Sequence, residues 1–185
     1  MKFILKVENA ALEASDFATA FALYLACNHS EVLRLRTTWE LVNKSSSCRK
    51  ILENHEKRLT LLENSKVLRG LIETAYGEFR KQQVKANRFV PCLHLILGDI
   101  THCGDLPKTF TLEGRDPEFN FENMAKVCSL IQQILMPQRV MKSDEEFSLQ
   151  TDFVLACLSH KKRSDFERKQ LSEKYDSPRT SSRGV

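Results

Sequence analysis

The order of hydrophobic and polar residues along the chain predicts a protein built almost entirely of helices. Apolar residues recur with the 3.6-residue period of an α-helix, and clear period-2 alternation, the mark of a half-buried strand, is missing. We therefore expect an all-α fold, an irregular bundle of about nine helices. The predicted helices cover residues 2–14, 17–27, 31–42, 48–62, 65–83 and 91–104, and three more open after Asn120, Ser143 and Ser164.

Residues with strong positional preferences mark the ends of several predicted helices. Serine, asparagine and aspartate favour the N-cap, where a side-chain oxygen accepts a free backbone N–H. Two Ser-x-x-Glu sequences have the form of a capping box. Proline within the pattern is expected to end a helix, because it lacks an N–H. The end markers are Asp16 and Asn28 around the second helix, Pro137 after the seventh, and the boxes Ser143/Glu146 and Ser164/Glu167.

The predicted helix 17–27 has no polar face, so we expect it to lie centrally, with neighbours on all sides. Residues 90–97 form an apolar run that could alternatively be a strand, because a short run of this kind does not distinguish the two. Polar residues 82–88 are expected to form a linker, and residues 106–119, with two prolines and a glycine, a loop.

The composition fits one soluble domain. The chain has 185 residues, of which 42% are hydrophobic and 28% charged, and its eleven phenylalanines could supply a sizeable core. The net charge is +4, and the last 27 residues, with eight Lys/Arg and four Asp/Glu, account for all of it. The remainder is neutral overall, without the basic face that tracks a phosphate backbone. We therefore expect no nucleic-acid partner.

Cysteines and apolar runs point to the cytoplasm. The six cysteines are scattered through helix-like apolar patterns, as reduced buried thiols are, and no CxxC or zinc-type histidine spacing accompanies them. We expect neither a metal site nor a cofactor. The N-terminal apolar run is too short for a signal peptide, and the longest apolar run, residues 17–27, is too short to span a membrane. At most, the basic residues 160–163 give a weak contact with an anionic membrane surface.

No motif of covalent chemistry is present: there is no Gly-rich phosphate loop, no GxSxG and no HExxH. The outstanding feature is the pair of predicted helices on either side of loop 106–119. The first has an apolar body, which includes Ile100, and a polar far end with Asp99, Thr101, His102 and Asp105. The pair predicts either a protruding hairpin that works on a partner or an ordinary helical hairpin packed flat in a bundle.

Three blocks of sequence carry a family resemblance. The first block comprises residues 16–20 and 28–40 and includes the run Arg34-Leu35-Arg36-Thr37-Thr38-Trp39. The second block, residues 91–101, is similar to a "VPFLGxxLxDLTF" helix. Residues 119–124 are similar to "INFEKM", and 131–133 to the end of "EIQQ". In this order the blocks resemble the catalytic domain of Ras-family guanine-nucleotide exchange factors of the Son-of-sevenless and Rap exchange factor type. They cover residues 16–135.

The resemblance implies a helical hairpin that inserts beside the switch regions of a Ras-family small GTPase (Ras, Rap or Ral type) and loosens its nucleotide. It implies the catalytic positions for Thr101, which would block the magnesium site, and for Asp105, whose carboxylate would oppose the α-phosphate. It further implies positions that bind the GTPase, support the hairpin or shape the core. These are Asp16, Arg34, Trp39, Ile100, His102 and Phe121.

The chain departs from the family pattern at the hairpin tip, where Asp105-Leu106-Pro107 stands in place of Glu-Gly-Asn. A shorter carboxylate and a lost Gly-Asn turn keep open the alternative of a degenerate domain that binds a GTPase, or acts as an adaptor, without exchange. We expect residues 1–175 to be a partial exchange domain that lacks the family's first helices, and residues 176–185 to be a disordered tail. An unrelated helical scaffold is the third alternative.

Overall fold

A computed structural model describes residues 1–82, 89–110, 118–141, 159 and 163–175. The fold is all-α, as predicted, and the described part contains nine helices and one two-stranded ribbon. The helices are α1 (Lys2–Glu13), α2 (Phe17–Cys27), α3 (Ser30–Leu33), α4 (Arg36–Asn43), α5 (Ser46–Arg58), α6 (Leu62–Gln82), α7 (Leu93–Asp105), α8 (Phe121–Met141) and α9 (Asp165–Tyr175). The strands are β1 (Thr109–Phe110) and β2 (Glu118–Phe119), paired antiparallel.

Two predicted caps are confirmed. Asp16 Oδ1 accepts the Thr19 backbone N–H at 3.0 Å and opens α2. At α9, Ser164 Oγ accepts the Glu167 N–H at 3.2 Å while Glu167 Oε2 accepts the Ser164 N–H at 2.8 Å, which is a complete capping box.

The predicted helix 31–42 is wrong as a single element, because the chain turns between α3 and α4 at Arg34 and Leu35. The Trp39 indole N–H donates to the Val32 carbonyl at 2.9 Å, across that turn. The ring also packs against a core cluster formed by Leu5, Cys27, Val42 and Cys48. Trp39 is therefore the core anchor that stabilises the break.

Helix α6 opens with an unusual left-handed turn. Glu63, Asn64 and Ser65 have φ angles of 49°, 56° and 57°, a region in which residues other than glycine are strained. The Thr60 hydroxyl accepts the Leu62 N–H at 3.2 Å, and the backbone then continues as a regular helix to Gln82. Arg69, one turn further on, donates to the Asn64 carbonyl at 2.8 Å and so supports the turn.

Two predictions around the hairpin are corrected. The alternative strand at 90–97 is wrong, since α7 is helical from Leu93 and only Val90 makes a bridge, to Asp16. The predicted helix end at Pro137 is also wrong, because α8 continues to Met141. Pro137 is buried, and an interior proline removes one N–H donor without preventing the helix from resuming where packing holds it.

The main core joins α1, α2 and α6 to the segment that precedes α7. Phe89 is 1% exposed, and its ring lies 6.0 Å from Phe17, 5.5 Å from Tyr76 and 5.9 Å from Phe79, centroid to centroid. The prediction that α2 is surrounded is only half right: Phe17, Ala20 and Phe21 are buried, but a strip with Ala22, Leu25 and Ala26 is exposed.

A buried pair of titratable side chains links α1 to α5. Glu8 and His55 are each 1% exposed, and Glu8 Oε1 lies 2.7 Å from His55 Nδ1. The two side chains therefore contact each other directly in the core, between α1 and α5. No other described group bonds to either side chain. The Glu8 carboxylate also affects its neighbours: burial first, then Glu8, raises the pKa of the Cys27 thiol to about 11.

Of the described cysteines, which are all free thiols, Cys27, Cys48, Cys92 and Cys103 are buried as predicted, but Cys128 is exposed. Cys128 lies on the side of α8 that faces away from α7, so nothing described covers it. Within the described residues, no helix is both long and apolar enough to cross a bilayer. Several predictions lie outside the described residues: most of the linker 82–88, the helix after Ser143, Cys157, the basic residues 160–162 and the tail 176–185.

Candidate functional site

Helices α7 and α8 pack against each other as a hairpin. Its interior is a small apolar cluster in which Ile96 and Cys103 of α7 meet Leu130 of α8, with Ile100, Val127 and Ile134 at the edges. Within the described part, α8 packs chiefly on α7, and most of its other side chains are exposed. Among the described residues, the pair therefore has an apolar cluster of its own, while Leu95 at the base of α7 belongs to the main core.

The outward side of α7 carries both candidate catalytic residues. Leu93, Leu97, Thr101 and Asp105 follow at intervals of four, a spacing that places them on one side of a helix, and all four are exposed. The Thr101 hydroxyl donates to the Leu97 carbonyl at 2.9 Å, which fixes its rotamer. The side is thus apolar towards the base of the hairpin and acidic at its tip.

Asn120 holds the return of the chain at the tip. Its side chain is 7% exposed: Nδ2 donates to the Pro107 carbonyl at 3.0 Å, and Oδ1 accepts the Asn123 N–H at 2.9 Å as the N-cap of α8. Its backbone N–H donates to the Lys108 carbonyl at 2.8 Å. One residue therefore caps α8 and ties it to the chain that leaves α7.

Asn123 adds a second cross-link within the hairpin. Its Nδ2 donates to the Cys103 carbonyl at 2.7 Å, near the C-terminal end of α7, where the same carbonyl also accepts the Leu106 N–H at 3.3 Å. The β1–β2 ribbon pairs Thr109 with Phe119 just beyond this point. The two asparagines and the ribbon keep the end of α7, and with it Asp105, in a fixed position relative to α8.

Asp16 acts on the opposite end of the hairpin. The turn that contains Ser15 and Asp16 forms a parallel bridge with Val90: the Phe17 N–H donates to the Val90 carbonyl at 2.9 Å, and the Val90 N–H donates to the Ser15 carbonyl at 3.0 Å. Asp16 itself caps α2. The segment that leads into α7 is thereby fastened to the α1–α2 turn.

One residue that was not predicted from the sequence contacts α7 from the side. Arg69 of α6 forms a bidentate ion pair with Asp99, in which Nη2 lies 2.9 Å from Oδ1 and Nη1 contacts Oδ2. Both side chains are about one-quarter exposed, at 28% and 26%. Thirty residues separate the partners, so no local spacing could have revealed the pair. The polar residue Asp99 was visible in the sequence only as part of the hairpin's polar end.

The remaining predicted site residues are spread over the molecule. Ile100 packs inside the hairpin, and His102 is exposed on α7. Phe121 is 72% exposed beside Phe119, at 6.3 Å between ring centroids, and Arg34 is exposed at the α3–α4 turn. Neither Phe121 nor Arg34 belongs to a described core cluster. A part for either in GTPase binding stays a prediction.

We expect Asn120→Ala to lower the free energy of unfolding by about 2 kcal/mol, through the lost N-cap and the unpaired Pro107 carbonyl. Urea unfolding followed by circular dichroism measures the change. Asn28→Ala is the matched control: Asn28 is exposed, its side chain makes one hydrogen bond, from Nδ2 to the Tyr24 carbonyl, and the change should cost less than about 1 kcal/mol. Equal losses in the two variants would contradict a locking role for Asn120.

The described part is thus an all-α body with a helical hairpin, whose outward side carries an apolar row that ends in an acid. The model of the family described as RasGEF domain matches residues 1–125 of this chain, from α1 into α8. The chain belongs to the RasGEF domain family, and that membership implies guanine-nucleotide exchange on a Ras-family GTPase as its class of activity. A search of curated proteins finds no match.

Proposed function

We propose that this chain accelerates the release of GDP from a small GTPase of the Ras, Rap or Ral type, by placing the outward side of α7 beside the switch regions. The observation that carries the proposal is the exposed row Leu93, Leu97, Thr101 and Asp105 on a helix that belongs to a RasGEF domain. The leucines supply apolar contact area near the base of the hairpin. Thr101 and Asp105, near the tip, are the residues that would act on the magnesium ion and the phosphates.

Electrostatic repulsion would weaken the binding of GDP. Asp105 is the last residue of α7, where the free carbonyls give the helix end a partial negative charge. The carboxylate and the helix end together oppose the negative phosphates of bound GDP, and the repulsion is strong where water is excluded. Thr101, one turn earlier, would occupy the place of the magnesium ion whose charge otherwise holds those phosphates. No covalent bond forms or breaks.

The proposal carries a thermodynamic requirement. Binding of the hairpin and binding of nucleotide compete, so each must weaken the other by the same factor. The chain should therefore bind nucleotide-free GTPase more tightly than GDP-loaded GTPase. A degenerate domain that acts as an adaptor would bind both forms with equal affinity.

Release of fluorescent GDP from a panel of Ras, Rap and Ral GTPases tests the proposal. Acceleration on any member, in proportion to the concentration of the chain, supports exchange and identifies the substrate. If a folded, monomeric sample binds a GTPase but leaves its release rate unchanged, the adaptor alternative replaces the proposal. If it neither binds nor accelerates any member, both are wrong.

On the GTPase that responds, we expect Asp105→Ala and Thr101→Ala each to slow GDP release by about tenfold, because each removes an interaction that acts on the phosphates or on their metal. Asp105→Glu should be faster than the parent, since the longer side chain restores the reach of the glutamate in the family pattern. Stopped-flow fluorescence measures the rates. Asp165→Ala, an exposed aspartate on α9, is the control and should leave the rate unchanged. Wild-type rates in both alanine variants would remove Thr101 and Asp105 from the site.

A further inference from the structure

We propose that Arg69 is a positioning residue, which sets the orientation of the hairpin by coupling the left-handed turn of α6 to Asp99 of α7. Three donor contacts of its guanidinium carry the inference. Nε donates to the Asn64 carbonyl at 2.8 Å, Nη2 donates to Asp99 Oδ1 at 2.9 Å, and Nη1 contacts Asp99 Oδ2. The inference rests on the proposed function only for its effect on exchange.

The planar guanidinium gives this link its directionality. Arginine presents N–H groups in a rigid fork that matches a carboxylate, so a bidentate pair fixes both distance and angle. The third donor holds the arginine itself, because Asn64 lies in a turn whose three successive positive φ values fix the path of the backbone. Asn64 Oδ1 lies a further 3.4 Å from Nη2. The Arg69 guanidinium is thus bonded both to the left-handed turn of α6 and to Asp99 of α7.

The position of Asp99 on α7 lets its ion pair with Arg69 set the orientation of the outward side of the helix. Successive helix residues are rotated by about 100°, so Asp99 lies about 160° around the helix from Thr101, almost directly behind it. The rise from Asp99 to Asp105 is about 9 Å, and a tilt of about 10° at the pair would move Asp105 by about 1.5 Å. Misplacement of an acting group by about 1 Å can cost a rate two orders of magnitude.

Apolar packing alone does not specify this orientation. Cys92 and Leu95 attach the base of α7 to the main core, and their contacts are non-directional. The Asp16–Val90 bridge fastens the segment before α7, ahead of the helix itself. Among the described side chains, Arg69 and Asp99 form the one ion pair between the hairpin and the body.

Exchange kinetics on the responding GTPase test the coupling with the full chain. Arg69→Gln and Asp99→Asn should each lower kcat by about tenfold while KM changes by less than about threefold. The residues of α7 that contact the GTPase remain in both variants, and only their position relative to the body changes. The reversed pair, Arg69→Asp with Asp99→Arg, should recover most of the loss, although the bond to Asn64 is not restored. Arg168→Gln with Asp165→Asn, which breaks an Arg–Asp pair inside α9, is the matched control and should leave kcat unchanged. Unimpaired single variants would overturn the proposal, as would a folded reversed pair no faster than they are.

A distance measurement tests the same inference without a GTPase. Spin labels at Glu73→Cys on α6 and Lys126→Cys on α8, both exposed positions, report the angle of the hairpin in a chain that also carries Cys128→Ser and Cys157→Ser. The buried Cys27 and Cys92 should stay unlabelled, because burial raises the pKa of both thiols and so lowers their thiolate fraction.

Pulsed electron spin resonance should give one narrow distance distribution for the parent and a broadened or shifted one for Arg69→Gln, with the reversed pair narrow again. An unchanged distribution in Arg69→Gln overturns the proposal whatever the exchange assay shows. If the wild-type chain accelerates no GTPase, the proposed function fails, and the distance distributions alone decide whether Arg69 positions the hairpin.

Discussion

Glu8→Ala should lower the free energy of unfolding by about 3–5 kcal/mol, because it leaves His55 buried without its partner. The pair lies between α1 and α5, and each residue is 1% exposed, so the imidazole of the variant would lie in the core without its carboxylate partner. Urea unfolding at pH 7 measures the loss. Replacing both residues at once, as Glu8→Met with His55→Leu, should cost far less, because no uncompensated polar group then remains in the core.

The control for Glu8 lies on the same helix. Glu13 is exposed on α1 and accepts a hydrogen bond from Asn9 Nδ2 at 2.7 Å, so Glu13→Ala should change stability by no more than about 0.5 kcal/mol. If Glu8→Ala and Glu13→Ala were equally stable, the buried pair would contribute nothing. If the double replacement were as unstable as Glu8→Ala, the cost would come from packing and not from the orphaned histidine.

Phe89→Ala should cost about 3–5 kcal/mol, the range for removal of a buried phenylalanine ring. The ring contacts Phe17 of α2 and both Tyr76 and Phe79 of α6, so the cavity would open where the body meets the segment that leads into α7. Phe89→Leu should cost less, since it keeps most of the volume. Thermal and urea unfolding give the values.

Phe3→Ala provides the comparison for Phe89. Phe3 is 76% exposed on α1, and its truncation should stay within about 0.5 kcal/mol of the parent. A small effect at Phe89, comparable to that at Phe3, would mean that the aromatic cluster is not the centre of the main core. A large effect at Phe89 together with a loss of exchange would connect that core to the hairpin.

The helices were predictable from sequence because their signals are local. The periodicity of residues 2–14 and 17–27 and the capping box at Ser164 concern residues three or four apart, and the structure places helices there. The predictions failed at two places where helical periodicity and residue preference did not decide the backbone. At the α3–α4 break the Trp39 indole N–H donates to the Val32 carbonyl across the turn, and α8 continues through Pro137, which is buried.

The residues of the candidate site likewise divide into those that were predictable from the sequence and those that were not. The row that contains Thr101 and Asp105 follows from helical spacing and from the resemblance, and both residues are exposed on one side of α7. The start of α8 at Asn120 was predicted, and its side chain accepts the Asn123 N–H as an N-cap, but the other bonds that hold the hairpin were not predictable. Asn120 acts through carbonyls of the preceding loop, and Arg69 acts through a carboxylate on another helix. Each interaction exists only once the chain has folded, so no pattern along the sequence encodes it.

The bridge between Asp16 and Val90 also has a consequence for the order of folding. It closes a loop that contains α2 to α6, and loop closure of this length is slow compared with the formation of a helix. The interior of the α7–α8 hairpin joins Ile96 and Cys103 to Leu130, which are much nearer to each other in sequence than Asp16 is to Val90. During synthesis, residues 16–82 leave the ribosome before Val90 does, so the hairpin docks onto a body whose helices have already had time to assemble.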